Sequence, residues 1–290
     1  MNLPSPEYLT PNSIIDCTFY NVGCLDDDEI RQLAWIGKYH NEPSGTVIIV
    51  SPGSRHAGEP RIKVVIGDTW RQHVPDGIDT VAMAGVGSSI LGTAALAKDV
   101  ADQLGHAVLG VVSGTGTIGA PIDGLTGWYL YGTINQLDDL WIRASEYLGA
   151  PTKFDQRVVA LVGSPTLLDS AQDVLRELIV QPSVTRVIGH SKGSLEIANA
   201  VAALQSVIAS RAPANPLKIG TLGAVVAVPD DVGICQVLGG LDFLGWLNSR
   251  PDVARHLIPN VWHSLNPCVP LAMSLQRDVW GKFGSSSAFA

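Results

Sequence analysis

Short β-branched, apolar runs alternate with helical segments along most of this 290-residue chain. The runs are TVIIV (46–50), IKVVI (62–66), TVAMAG (80–85), AVLGVV (107–112), RVVALVG (157–163), TRVIG (185–189) and LKIGTLGAVVAV (217–228). Strands that are apolar on both faces need cover on both. The pattern therefore predicts an α/β fold, a mostly parallel sheet with helices on both faces. Helical periodicity is expected after the acidic run Asp26–Glu29, over 89–104 up to Gly105, over 167–180, and over 195–211 behind the run at 185–189. Residues 1–25 read as an irregular, proline-bearing lead-in. Residues 113–156 read equally as a cap or lid and as a helical crossover with a long loop. No internal repeat is seen, and residues 1–290 are expected to form one domain.

Composition narrows the function. Hydrophobic residues make up 46% of the chain and charged residues 16%, enough for a large buried core. The net charge is −8 and no basic stripe stands out, which argues against a nucleic-acid partner. No apolar run approaches the roughly 18 residues of a membrane span. The start MNLPSPEYLTPNSIID lacks a basic stretch followed by an apolar core, so no secretory signal is read and a cytoplasmic location is expected. Cys17, Cys24, Cys235 and Cys268 form no C-x-x-C pair. They read as free thiols rather than zinc ligands, with a Cys17–Cys24 disulfide left open. Nothing points to a metal or an organic cofactor.

The chemistry centres on Gly189-His190-Ser191-Lys192-Gly193, a G-x-S-x-G between a β-branched strand and a helix rich in small residues. In that setting a serine sits on a strained turn with its oxygen lifted clear of the sheet, and the helix N-terminus behind it favours developing negative charge. This segment resembles the nucleophile elbow of α/β-hydrolase lipases and esterases, and the order of elements over residues 45–270 is similar to that fold. The resemblance implies the chain order serine, acid, histidine, with the nucleophile after the fifth main strand. Downstream lie only His256 and His263. His263, in the turn-rich PNVWHSLNP, is preferred as the base over His256, which reads as part of a helical surface segment. Asp242 follows Gly239-Gly240 and precedes His263 by about the spacing usual in lipase-like members, so it is the preferred acid. Asp230, Asp231 and, less so, Asp252 stay open.

The same resemblance implies two backbone oxyanion donors, one from Lys192 and one from the loop after the third strand, where Val86 is expected. That loop, Ala84–Ser89, lacks the common His-Gly start. Ser51-Pro52-Gly53-Ser54 is the competing loop. Gly87, His190, Trp128 and Tyr129, with Tyr131, are candidates for the substrate pocket. A residue at the position of His190 usually points to the core or supports the turn, so it is not taken as the base. Gly114–Gly119 spells G-x-G-x-x-G, but Pro121 and Asp123-Gly124 interrupt the helix a dinucleotide site needs, and Asp138 and Asp139 fall in a helical stretch rather than at a strand end. A Ser191–Lys192 dyad is disfavoured because adjacent side chains point apart, leaving Lys192 exposed. The expected activity is a serine esterase or lipase acting on small-molecule esters with an apolar acyl group. A thioesterase or acyltransferase using the same triad, and a non-catalytic α/β-hydrolase-like binding protein, are the alternatives.

Overall fold

The computed structural model of the chain describes residues 11–39, 44–53, 61–65, 70–73, 77–85, 87–113, 170–210, 216–230 and 232–283. The elements are α1 (Pro11–Phe19), α2 (Asp27–Tyr39), β1 (Val47–Val50), β2 (Ile62–Val65), α3 (Trp70–His73), β3 (Thr80–Met83), α4 (Ile90–Leu104) and β4 (Val108–Val111). They continue with α5 (Ser170–Val180), β5 (Arg186–His190), α6 (Lys192–Ala203), α7 (Gln205–Ala209), β6 (Lys218–Leu222), β7 (Gly233–Gly239), α8 (Phe243–Leu247) and β8 (His256–Ile258). A π-helical turn at Leu275–Trp280 runs into α9 (Gly281–Phe283).

Among the described residues, eight strands form one sheet in the order β2-β1-β4-β3-β5-β6-β7-β8. β1 is antiparallel to both β2 and β4, and every other pairing is parallel. The α/β expectation holds. Alternation along each strand divides the core into two layers. Ile48, Val50, Ala82, Ile188 and Val237 face one side, where Leu33 of α2 and Ile90, Ala94 and Leu96 of α4 cover them. Val47, Ile49, Val81, Met83, Val187 and Ile219 face the other, under Leu175 and Leu178 of α5 and Ile197 and Val201 of α6. Each fully buried aliphatic side chain contributes about 1.5–3 kcal/mol relative to exposure, so these two layers fix the sheet's position between the helices.

Capping explains where α4 lies. The Ser89 side chain accepts from Leu91 N–H, and Gly105, at φ 75°, closes the far end with its N–H on Ala101 C=O.

Three local expectations are corrected. Residues 11–19 are a helix, not an irregular lead-in: Pro11 occupies the first turn, where its missing N–H costs nothing. His256 opens strand β8 instead of lying in a helix, because the segment pairs in parallel with Val237–Gly239. The long run 217–228 is strand only to Leu222. Gly223, at φ 67°, turns the chain out of the ladder, and beyond it Val225 and Val226 N–H groups donate to the Ser249 hydroxyl and the Gln236 side-chain oxygen instead of to a strand. All four cysteines are free, so Cys17 and Cys24 are not bridged. The strand expected at 157–163 and the segment 114–156 lie outside the described residues. No helix among the described residues is long and apolar enough to cross a membrane.

Candidate active site

Ser191 joins β5 directly to α6 with φ 55° and ψ −124°. A non-glycine residue held there costs about 1–3 kcal/mol and persists only where its surroundings over-determine it. The surroundings here do so. A Cβ on Gly193 would fall inside the carbonyl oxygens of Met83 and Ala84, and one on Gly189 would come 2.7 Å from Ser194 N and 2.6 Å from Ile197 Cδ1. Both flanking positions must therefore be glycine for the helix to lie this close to β3 and β5. Ser191 N–H donates to Leu222 C=O at 2.8 Å, and Ser191 C=O accepts from Ser194 N–H at 2.9 Å. The turn is thus anchored to β6 in front and to α6 behind.

Asp242 follows β7 and caps α8. Its Oδ1 accepts from Gly245 N–H at 2.6 Å. His263 Nδ1 lies 2.8 Å from both Asp242 carboxylate oxygens, with the two side chains 4% and 0% exposed. Two contacts bring this pair to the elbow. Gly223, next in chain to the Leu222 that binds Ser191 N–H, is so close that a Cβ there would sit 3.0 Å from His263 Cε1 and 3.3 Å from Asp242 Oδ2. The His190 ring, beside Ser191 in the chain, lies 4.8 Å centre to centre from the His263 ring. The three residues singled out by motif and order thus gather at the carboxyl edge of the parallel strands.

The loop after β3 passes directly over the serine: a Cβ on Gly85 would be 2.9 Å from Ser191 Cβ. Gly85 itself is fully engaged. Its N–H donates to the Tyr20 hydroxyl at 2.6 Å, and its C=O accepts from Ser88 N–H and from the Ser113 hydroxyl. Val86, the expected donor from this loop, lies outside the described residues. Gly87, at φ 72°, packs against Ile15 of α1. In the competing loop, Gly53 N–H donates to Asp102 Oδ1 at 2.7 Å. It is committed to structure. Lys192 takes the first position of α6, where backbone N–H groups point out of the helix end. Its ammonium is not exposed as expected. It is 23% exposed and pairs at 2.8 Å with the buried Glu196 one turn on, the geometry of an i,i+4 ion pair rather than of a dyad with Ser191.

His190 does not line a pocket. It is 1% exposed, and both ring nitrogens are bonded inside the protein: Nδ1 to the Tyr20 hydroxyl and Nε2 to the backbone carbonyl of His263, each at 2.9 Å. Burial, followed by the neighbouring His263, holds its pKa well below the usual imidazole value, so the ring is neutral. Of the alternative acids, Asp230 is exposed in a turn and Asp252 pairs with Arg250. Asp231, Trp128, Tyr129, Tyr131, Gly114–Gly119, Asp138 and Asp139 lie outside the described residues.

Sequence reasoning passed over the residues that hold the site from behind. Tyr20 bridges Gly85 and His190, Phe19 sets its ring edge-on to His263 at 5.6 Å, and Asp16 accepts from the N–H and hydroxyl of Ser89. No motif marks them. Comparison with protein families, curated proteins and solved structures finds no match to this chain.

Proposed function

We propose that this protein is a serine hydrolase of the α/β-hydrolase type that cleaves carboxylic esters through an acyl-serine intermediate. The observation that carries the reading is the strained serine between β5 and α6, beside a histidine whose Nδ1 is held by a buried carboxylate. In chain order the serine follows the fifth described strand, the aspartate the seventh and the histidine the eighth, an arrangement in keeping with that fold. The antiparallel β1 ahead of a parallel series supports the same reading.

The roles follow from the groups. Asp242 accepts a hydrogen bond from Nδ1–H of His263, which leaves Nε2 with the basic lone pair. His263 takes the Ser191 proton as Oγ bonds to the ester carbonyl carbon. Backbone N–H groups at the start of α6 and in the loop after β3 meet the oxyanion. The C–O bond to the alcohol then breaks, and the imidazolium returns its proton to that oxygen. Water repeats the sequence on the acyl-serine and releases the acid. Leu241 and Phe243, which flank Asp242 in the chain and are 54% and 71% exposed, favour an apolar acyl group. A thioesterase or acyltransferase would use the same acyl-enzyme and differ in leaving group or acceptor.

The test is intact-mass analysis after treatment with a fluorophosphonate, whose fluoride is displaced by an activated serine oxygen. One adduct on the wild type, mapped to Ser191 and absent from Ser191→Ala, supports the reading. A well-folded wild type that takes no label overturns it in favour of a non-catalytic binding protein. Chain-length series of p-nitrophenyl esters and thioesters then separate substrate classes.

A further inference from the structure

Behind the proposed triad runs a hydrogen-bond chain whose direction is fully determined. Gly85 N–H can only donate, so the Tyr20 oxygen accepts it. The single Tyr20 proton then goes to His190 Nδ1. His190 Nε2 faces the His263 carbonyl, which can only accept, so the ring carries its proton there. That assignment is the neutral tautomer its burial demands. All three groups lie in the buried interior, with Tyr20 at 2%, His190 at 1% and His263 at 4% exposure. The chain thus starts at the loop that crosses Ser191 and ends on the backbone of the proposed base.

The segment that supplies Tyr20 grips the histidine loop a second time. Leu265 N–H donates to Phe19 C=O at 2.8 Å, the Ser264 hydroxyl to Thr18 C=O at 2.7 Å, and the Asn266 amide to Cys17 C=O. These carbonyls end α1, and the last turn of a helix leaves its C=O groups without partners inside the helix. The histidine loop supplies those partners.

We propose that Tyr20 and His190 are positioning residues for the catalysis described above, setting the oxyanion loop and the general base in one register. The inference rests on the hydrolase reading. Neither side chain touches substrate. Tyr20 holds Gly85 at the entry to the oxyanion loop, and His190 holds the His263 carbonyl and so the height of the imidazole over Ser191. A displacement of about 1 Å in such a frame is enough to cost on the order of 100-fold in rate.

Three variants test it: Tyr20→Phe, His190→Asn and His190→Gln. Asparagine places its amide near the position of Nδ1 and keeps a partner for Tyr20, but does not reach His263. Glutamine places its amide near Nε2 and keeps the donor to the His263 carbonyl. Tyr20→Phe and His190→Asn are expected to lower kcat and the fluorophosphonate labelling rate by about tenfold or more with KM within about twofold, and His190→Gln to recover part of the loss. The downfield proton resonance of His263 Nδ1–H, a readout independent of turnover, should shift or broaden in the first two variants and return toward its wild-type position in the third. Labelled wild type with Tyr20→Phe and His190→Asn at wild-type rates and an unmoved resonance overturns the inference and leaves the hydrolase reading standing. Wild type that takes no label removes both. If Tyr20→Phe does not fold, the ranking of glutamine above asparagine at position 190 decides, and equal rates for the two overturn the inference.

Discussion

Replacing Asp242 with asparagine changes one atom and sets a donor against Nδ1 of its partner. Gly245 N–H stands 2.6 Å from Oδ1 and can only donate, so the substituted amide must keep its oxygen there. The NH2 group then takes the place of Oδ2, 2.8 Å from His263 Nδ1. Nδ1 now faces a donor and, also at 2.8 Å, the retained oxygen that Gly245 already occupies. The pairing that satisfies the amide has Nδ1 accepting and the imidazole proton on Nε2, and on the proposed reading that tautomer has no lone pair to take the serine proton. The expected loss in kcat is about 10⁴-fold, or about 5 kcal/mol of transition-state stabilisation. The fold should be little changed, since the cap on α8 keeps its oxygen and loses only its charge, a cost of about 1 kcal/mol. The assay is hydrolysis of a short p-nitrophenyl ester by wild type and Asp242→Asn, with circular dichroism and thermal melting as controls. Asp230→Asn, at the exposed turn carboxylate, should leave the rate unchanged. An Asp242→Asn variant within about tenfold of wild type, melting at a similar temperature, would refute the assignment of Asp242 as the residue that sets the His263 tautomer.

Two further outcomes follow from packing and ionisation. Gly193→Ala should gain the roughly 1 kcal/mol of helix propensity that alanine holds over glycine. It should lose more than that, because the new Cβ meets the Met83 and Ala84 backbone carbonyls, which cannot rotate away. Urea unfolding should therefore show net destabilisation, and a stabilised variant would mean α6 does not approach β3 this closely. Burial pushes the Asp16 carboxyl up to about 7, against its hydrogen bonds to Ser89, so the folded protein retains a proton between about pH 4 and pH 7 that the unfolded chain releases. Stability from this group is present at low pH and is lost as pH rises through about 7, by about 2–3 kcal/mol between pH 5 and pH 8. Asp16→Asn should flatten that dependence in urea titrations at the two pH values, and an unchanged slope would show that Asp16 ionises as it does in the unfolded chain.

The elbow was legible because its constraints are local. Gly189 and Gly193 are imposed by neighbours within reach of a single Cβ, and the strand before and the helix after them announce themselves by periodicity. His263 and Asp242 follow from the chain order and spacing that the resemblance to α/β-hydrolases implies, and the structure brings those two side chains together. The helix at 11–19 was hidden by prolines, one of which merely occupies its first turn. The end of β6 at Leu222 was hidden for another reason. The apolar run continues to Val228 because most of those residues are still buried, and burial without a strand partner leaves the same trace in composition as a strand. Tyr20 and Asp16 were invisible because nothing in a sequence couples position 20 to position 190, or position 16 to position 89. Only the fold places α1 behind the elbow.

The clasp between the end of α1 and the histidine loop joins parts of the chain 246 to 249 positions apart. Between them run the eight described strands of the sheet. Closing so long a loop is slow and becomes favourable only when the intervening sheet has already formed. A ribosome must therefore release the histidine loop before residues 17–20 find their partners. The turn at Ser191 is itself held by Leu222 of β6, so it too is set only when that strand is in place. On the proposed reading, the serine gains a positioned base only when the histidine loop has closed against the end of α1.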